Sequence, residues 1–262
     1  MDNCRLRRDP ASHELQGADK KFCLGHHVGE PQHIALPAAV GQLQRLTPDQ
    51  RATTVTLRNE TPAPVSVQVR VFAWQQDADA GMLLSPTSDI ALSPAMITLP
   101  PGATQLVRIV TRNQRSSSEQ HYRVLIDELP NAAGASRDKI QVLTRYSLPL
   151  FLEPRVAGLP RLSLRLQSCQ DGRQRLLISN TGERRARLAN WLILDGEQIQ
   201  ASQEGLAGYV LPGSLLTLTM PADLTWSTTG AKLRADTDLG PWQADIPSPG
   251  EPTSCPSPAA PL

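Results

Sequence analysis

Residues 65–76, VSVQVRVFAWQQ, alternate apolar and polar side chains, and this pattern decides the fold class. In a β-strand, successive side chains point to opposite faces of the sheet. One face of this stretch therefore carries Val65, Val67, Val69, Val71 and Ala73. The other face begins with polar side chains, so the pattern predicts a strand that is buried on one side only.

Similar blocks extend from this strand in both directions. Upstream, residues 51–60 (RATTVTLRNE) place Val55 and Leu57 inward and lead into a turn at Asn59. Downstream come the blocks 83–112, 119–130 and 139–154, and a further set over 162–169, 173–180, 185–194, 208–220 and 231–238. Turn residues recur about every 8–12 residues, which is typical of antiparallel sandwiches. The sequence therefore predicts an all-β fold with two sandwich domains.

Length and composition narrow the class of protein further. The chain has 262 residues, 40% of them apolar, which is enough for two domains of ordinary size. The net charge is +1 with both signs interspersed, so we expect no nucleic-acid partner. No apolar run is long enough for a transmembrane helix, and we expect a protein that is not embedded in a membrane.

The four cysteines are Cys4, Cys23, Cys169 and Cys255. Their even number permits disulfides, while their spacing fits no metal motif. Only Cys169 lies in a strand-like block, and Cys255 lies in a Pro-rich stretch that we expect to be disordered. We favour unpaired thiols.

No catalytic motif is present in the sequence. Four of the five histidines precede residue 34, and the adjacent pair His26 and His27 lacks further metal ligands. Asp127 and Glu128 are neighbours in a predicted strand and point to opposite faces, so they cannot act as a carboxylate pair. We expect a protein that is not an enzyme and that needs no cofactor or metal.

Four phrases, in order along the chain, resemble one family. They are VFAWQQ with the downstream SDIALSPAMITLPPGATQLVRIV, then YRVLIDELP, then RYSLPLFLEP, then GYVLPGS at 208–214. They resemble periplasmic chaperones of the chaperone–usher pilus pathway, nearest the branch that serves spore-coat-U-like pilins. The resemblance covers about residues 45–245. It implies two immunoglobulin-like β-sandwich domains set at an angle, with a cleft between them.

The resemblance also implies a mechanism, donor-strand complementation, in which the chaperone lends the last strand of its first domain to an incomplete pilin subunit. Here that strand is predicted at Ile140–Leu150. With a period of two, the face predicted to enter the subunit carries Ile140, Val142, Thr144, Tyr146 and Leu148. The alternative is that these side chains fill the chaperone's own core, with Leu143 sharing that role.

The family further anchors the subunit's C-terminal carboxylate on two basic residues, one in the first strand and one in the last strand of the first domain. The best matches in this sequence are Arg45 and Arg145. Leu43 stands where the family has the first arginine, and the family's proline before it is missing. Arg45, two residues further on, would lie on the same strand face.

The resemblance implies pilin subunits and an outer-membrane usher as partners, and a periplasmic location. An unused donor strand also allows a self-capping homodimer. Residues 1–32 are polar and contain no convincing signal peptide, HIALPAAVGQL at 33–43 being the only candidate. We therefore expect 1–44 to be an atypical segment, either disordered or the product of a mis-assigned start or reading frame.

The predicted organisation beyond residue 44 has four parts. They are an N-terminal domain over 45–155 that carries the donor strand, a linker over 156–161, a C-terminal domain over 162–247 and a Pro-rich tail over 248–262. The main alternative in function is a secreted immunoglobulin-like adhesive or structural module without chaperone activity.

Overall fold

The computed structural model of the protein describes residues 44–77, 81–112, 116–130, 142–220, 230–248 and 250–255. Over these residues the chain forms strands and no helix, and the predicted all-β fold is confirmed. The described part therefore offers no apolar helix that could cross a membrane. The predicted segment 1–44, apart from Gln44, lies outside the described residues, as do Cys4 and Cys23.

The first sandwich packs two sheets against each other. Its larger sheet has the strand order β1-β9-β8-β3-β4, with β6 also pairing with β3, and its smaller sheet has the order β2-β7-β5. Only β1 and β9 pair in parallel among these strands. The strands are β1 Gln44–Leu46, β2 Ala52–Arg58, β3 Val65–Asp77, β4 Gly81–Pro86, β5 Ile90–Ser93, β6 Met96–Leu99, β7 Thr104–Thr111, β8 Gln120–Glu128 and β9 Arg145–Leu152.

The core of the first sandwich lies between these sheets, where the sequence pattern placed it. Val65, Val67 and Val69 of β3 are buried, and Val71 and Ala73 pack partly against them. From the smaller sheet, the inward residues of β2 and β7 complete the core. The predicted inward faces of the strands at 51–60 and 65–76 are confirmed.

The second sandwich is built from the remaining strands. One sheet has the order β10-β11-β14 and the other has the order β13-β12-β15-β16, with a core between them. The strands are β10 Leu162–Ser168, β11 Gln174–Asn180, β12 Ala186–Asp195, β13 Gln198–Val210, β14 Leu215–Thr219, β15 Lys232–Thr237 and β16 Gly240–Asp245. The predicted boundary at 156–161 falls in a stretch without strands, and the four-part division itself stays a prediction.

A buried asparagine turns the chain at an equivalent corner of each sandwich. Asn59, after β2, donates from Nδ2 to the carbonyl oxygens of Ala63 and Leu99 at 2.8 and 2.9 Å, and its Oδ1 accepts from the Thr61 amide. Asn180, at the end of β11, makes the same three bonds, to the Arg184 and Val210 carbonyls and from the amide two residues on. Each side chain replaces backbone partners that a tight corner cannot provide.

A disulfide joins Cys169 and Cys255, so the prediction of unpaired thiols is wrong for these two residues. Thr253 forms a parallel bridge with Cys169, donates its amide to Ser168 O and accepts from the Gln170 amide, each at 2.9 Å. Residues 250–255 are therefore fixed to the end of β10, and the prediction of disorder is wrong for this part of the tail. Spacing alone missed the bond because the two cysteines are 86 positions apart, and the chain between them forms a sandwich that returns to its starting edge.

The two sandwiches meet at a small apolar joint. Trp74 and Phe151 from the first sandwich pack against Tyr209 and Leu211 from the second. The side chain of Gln76 crosses the joint, donating from Nε2 to Tyr209 O at 2.6 Å and accepting from the Leu211 amide at 2.8 Å. A polar groove of about 470 Å³ opens beside Gln76 and is lined by residues from both sandwiches.

Candidate functional site

The strand predicted to act as the donor is β9, and its free edge is the central feature of the site. The strand begins at Arg145 rather than at the predicted Ile140, and Val142–Thr144 precede it without strand structure. On one side, β9 pairs with β8 along its whole length. On the other side, β1 pairs only with Leu150–Leu152, so none of the described strands covers the outer edge of 145–149.

The predicted donor face is divided between solvent and the protein's own core. Ile140 lies outside the described residues, and Val142 is 59% exposed. Thr144 accepts from the Glu128 amide at 3.0 Å, which holds it beside the end of β8. Leu148 is buried in the first sandwich, and Tyr146 packs partly against the same core. The packing of Leu148 and Tyr146 therefore fits the alternative prediction, in which these side chains fill the protein's own core.

Residues 143–147 border a surface groove on the outer side of the larger sheet. The groove has a volume of about 890 Å³. Its apolar walls come from Met82, Leu84, Leu125, Leu129 and Leu143. Leu143 and its neighbour Val142 are both exposed, so the stretch leading into β9 presents two apolar side chains at the surface.

Arg145 lies on the floor of this groove and is engaged by Asp127. The Asp127 carboxylate accepts from Arg145 Nε, and from Arg70 Nη2 at 2.7 Å. Partial burial raises the pKa of Asp127, but the hydrogen bonds from Arg145 and Arg70 outweigh it and leave the pKa below its usual value. Arg145 therefore already has a carboxylate partner.

Arg45, the other predicted anchor, lies at the far end of β9. It is opposite Phe151, and Arg145 is six residues earlier in that strand, a separation of about 20 Å at about 3.3 Å per residue. The structure therefore does not bring Arg45 and Arg145 together as a pair. Arg45 Nη1 instead lies 3.5 Å from Glu153 Oε1, and Arg184 Nη2 of the second sandwich lies 3.6 Å from the same oxygen.

A buried ion pair lies next to this cluster. Glu119 and Arg185, both fully buried, join the two sandwiches through a carboxylate–guanidinium contact, and the Arg185 guanidinium stacks 3.8 Å from the centre of the Phe151 ring. Burial raises the pKa of the Glu119 carboxyl, and the charge of Arg185 opposes that effect. Burial also lowers the pKa of His121, beside Glu119, to about 4, with the charge of Arg185 as a second cause.

Sequence reasoning missed Glu119, Glu153, Arg184 and Arg185. One signal was available, because ERRAR at 183–187 places three arginines directly after a turn at the start of a strand-like block. Within the described ranges, no group of three or more His, Cys, Asp or Glu side chains could hold a metal ion.

Comparison with known proteins agrees with the family suggested by the sequence. Residues 45–157 match the family model described as pili and flagellar-assembly chaperone, PapD N-terminal domain. No curated protein sequence matches the chain.

Among solved structures, the chain is similar to the CsuC–CsuE complex of a chaperone and a tip adhesion subunit from the archaic chaperone–usher Csu pili of Acinetobacter baumannii. The TM-score is 0.61 at 25% identity, over 80% of this chain and 96% of that one. It shares its fold with the Pseudomonas aeruginosa CupB2 chaperone, at 17% identity and a TM-score of 0.52, over 79% of this chain and 98% of that one. The family match therefore covers the first sandwich, and the solved structures to which the chain is similar over both sandwiches are chaperones of pilus pathways.

Proposed function

We propose that this chain is a periplasmic chaperone that stabilises incomplete immunoglobulin-like pilin subunits by donor-strand complementation and delivers them to an outer-membrane usher. In such strand addition, backbone hydrogen bonds provide affinity, and pockets for alternate side chains provide specificity. The lent segment, called the donor segment below, is 142–149.

The observation that carries this proposal is the uncovered outer edge of β9. An edge strand presents a row of free N–H and C=O groups to which another chain can pair. Native proteins usually block such edges, yet β1 pairs only with Leu150–Leu152, and none of the described strands pairs with the outer edge of 145–149. An edge of this kind fits a subunit that lacks a strand.

The apolar residues beside this edge support the same reading. Val142 and Leu143 are 59% and 42% exposed, directly before β9. Fully burying an aliphatic side chain of this size contributes about 1.5–3 kcal/mol. Since about half of each side chain is still exposed, covering both by a subunit would stabilise a complex by about 1.5–3 kcal/mol in total before ordering costs.

The similarity to CsuC, whose structure is a complex with a tip adhesion subunit, supports a pilin-type partner. The proposal is tested by co-expressing the tagged chain with a spore-coat-U-like pilin in the periplasm and measuring the soluble subunit that co-purifies. We expect recovery with the native chain and a loss of at least tenfold with Val142→Asp, because a carboxylate would enter an apolar groove without a partner. Leu106→Asp is the matched control, since Leu106 is 55% exposed on the other sheet of the same sandwich.

Equal losses from Val142→Asp and Leu106→Asp would contradict a specific role for the donor segment. No recovery with a folded, exported native chain would contradict the chaperone proposal and favour an adhesive or structural module. Usher delivery is tested separately, by whether the purified complex, and not the free chain, binds the usher's periplasmic domain.

A further inference from the structure

Arg45 and Arg184 come from different sandwiches and hold one carboxylate, that of Glu153, between them. We call these two side chains the arginine cradle. Glu153 Oε1 is 3.5 Å from Arg45 Nη1 and 3.6 Å from Arg184 Nη2. The side chain of Glu153 is 19% exposed, and those of Arg45 and Arg184 are 47% and 23% exposed. The site is therefore half-buried and reachable from solvent.

Glu153 occupies the cradle but does not satisfy all the N–H donors of the two arginines. Both separations exceed the 2.7–2.9 Å of a good charge-assisted hydrogen bond, and an arginine can grip a carboxylate with two parallel bonds. Arg184 Nε is buried and has no hydrogen-bond partner among the described residues. Two guanidinium groups facing one carboxylate leave a net charge of about +1 at the cradle. The neighbouring guanidinium of Arg185 adds no further positive charge to the cradle, because the carboxylate of Glu119 neutralises it.

The backbone at Glu153 is fixed, so only its side chain has to move for the cradle to open. Its amide donates to Leu46 O at 3.0 Å, which ties it to β1 next to Arg45. Rotating the side chain toward solvent exposes a carboxylate to water, which is its preferred medium. The two arginines would then face an empty position with no competing anion.

We infer that Glu153 is an internal competitor that occupies the arginine cradle until a carboxylate of the bound partner displaces it. The inference rests on the proposed function, and it replaces the Arg45–Arg145 pair by Arg45 and Arg184. The ligand class is a carboxylate, from a chain terminus or from an Asp or Glu side chain of the subunit. Displacement keeps the two sandwiches linked, because the incoming carboxylate bridges the same two arginines.

If Glu153 competes with the partner's carboxylate, removing its charge changes partner affinity in the direction opposite to that expected for a purely structural ion pair. Removing the charge of Glu153 should strengthen partner binding, because the cradle no longer has an internal anion to release. A structural link would give the opposite result, since its loss would weaken the joint and with it any surface spanning both sandwiches. The variant Glu153→Gln therefore separates the two roles, and Glu183→Gln is its matched control. Glu183 is adjacent in sequence to Arg184 but pairs with Arg161, at 2.8 Å.

The experiment titrates the full chain with a labelled ten-residue peptide copied from the C-terminus of the co-expressed pilin. The peptide is used with a free terminal carboxylate, as its terminal amide without acidic residues, and as that amide with one internal Glu. We expect Glu153→Gln to lower Kd for the free acid at least tenfold, Glu183→Gln to match the native chain, and Arg184→Gln added to Glu153→Gln to abolish the gain. The acid-free amide should show no gain. A gain for the internal-Glu amide equal to that for the free acid would show that the cradle accepts a side-chain carboxylate as well as a terminal one, whereas a gain for the free acid alone would identify the chain terminus as the ligand.

Unchanged or weaker peptide binding by Glu153→Gln, in protein whose thermal unfolding shows it to be folded, would overturn the inference. If the subunit is still recovered in the co-expression experiment, only the inference falls. If the peptide binds more tightly to Glu153→Gln but no subunit is recovered with the native chain, the proposed function falls and the cradle remains.

Discussion

The two sandwiches share one type of asparagine corner but differ at their outer edges. Asn59 and Asn180 make the same three hydrogen bonds at equivalent turns. In the first sandwich, the outer edge of β9 is left open over 145–149 within the described chain. In the second, residues 250–255 are fastened to the end of β10 by a disulfide and by the backbone bonds of Thr253.

This contrast separates a feature that both sandwiches need for stability from a feature that can differ between them. The corner recurs because a buried tight turn leaves carbonyl oxygens that need donors, whatever the sandwich does. An edge can be covered or left open, since its backbone groups can bond to water. Within the described residues, the two sandwiches therefore share the corner and differ at the edge.

Removing the disulfide between Cys169 and Cys255 should give the largest loss of stability. We expect the double variant Cys169→Ser, Cys255→Ser to destabilise the second sandwich by about 4–5 kcal/mol, the loop-closure value for the 86-residue separation. Hydrogen exchange in increasing urea, read by mass spectrometry, reports each sandwich separately. Reduction of the native chain is the chemical control and should give the same loss. Equal destabilisation of both sandwiches would show that the disulfide does not stabilise the second sandwich specifically.

The shared corner predicts a smaller and matched pair of effects. Asn59→Ala and Asn180→Ala should each lower the free energy of unfolding by about 3–4 kcal/mol, because each removes four side-chain hydrogen bonds at a buried turn, three of which the two corners share. Urea denaturation of the two variants measures both values. A difference of more than about 1.5 kcal/mol between them would show that the corners are alike in geometry but not in energy.

Protonation of His121, at the joint between the sandwiches, should give the smallest loss of stability, and this loss depends on pH. The pKa of His121 is lowered from 6.5 to about 4 in the folded chain, so protons bind the unfolded chain first as the pH falls through this window. Stability is therefore full above pH 6.5 and is lost toward pH 4. Between pH 7 and pH 4.5 we expect His121 to cost about 2 kcal/mol.

His121→Gln is the control for this prediction, because it removes the titrating group. The native chain should lose about 2 kcal/mol more than the variant between the two pH values, as measured by urea denaturation. Subtracting the variant also removes the opposing contribution of Glu119, whose raised pKa favours the folded chain at low pH. Identical pH profiles would contradict a buried, neutral His121.

Local alternation predicted most of the fold. The inward residues of β3 repeat with a period of two because one face is core, so Val65, Val67 and Val69 could be placed from the sequence. Alternation also continued through 140–150, and there it misled. Tyr146 and Leu148 follow the period because they fill the first sandwich's own core, whereas Val142 follows it in an exposed stretch before the strand.

The charged groups of the site could not be predicted because their partners are distant in sequence. Arg45 meets Glu153 through the parallel pairing of β1 with β9, and Arg184 reaches it from the other sandwich. Arg145 matched the expected residue type, but the register of β9 carries it away from Arg45 and toward Asp127. Gly182 gives a similar lesson. A Cβ there would lie 2.1 Å from Leu159 O, a constraint set by the chain passing over the corner and not by the local turn.

The bond between Cys169 and Cys255 also sets a timing problem for the newly made chain. Because disulfides form in an oxidising compartment, the interval that matters lies between the arrival there of Cys169 and that of Cys255, 86 positions later in the chain. During that interval the Cys169 thiol has no correct partner, while Cys4 and Cys23 have already been made. A premature pair with either would have to be resolved by thiol–disulfide exchange before β10 could receive its tail. The yield of the folded chain should therefore depend on the isomerase activity of its compartment as well as on the oxidants there.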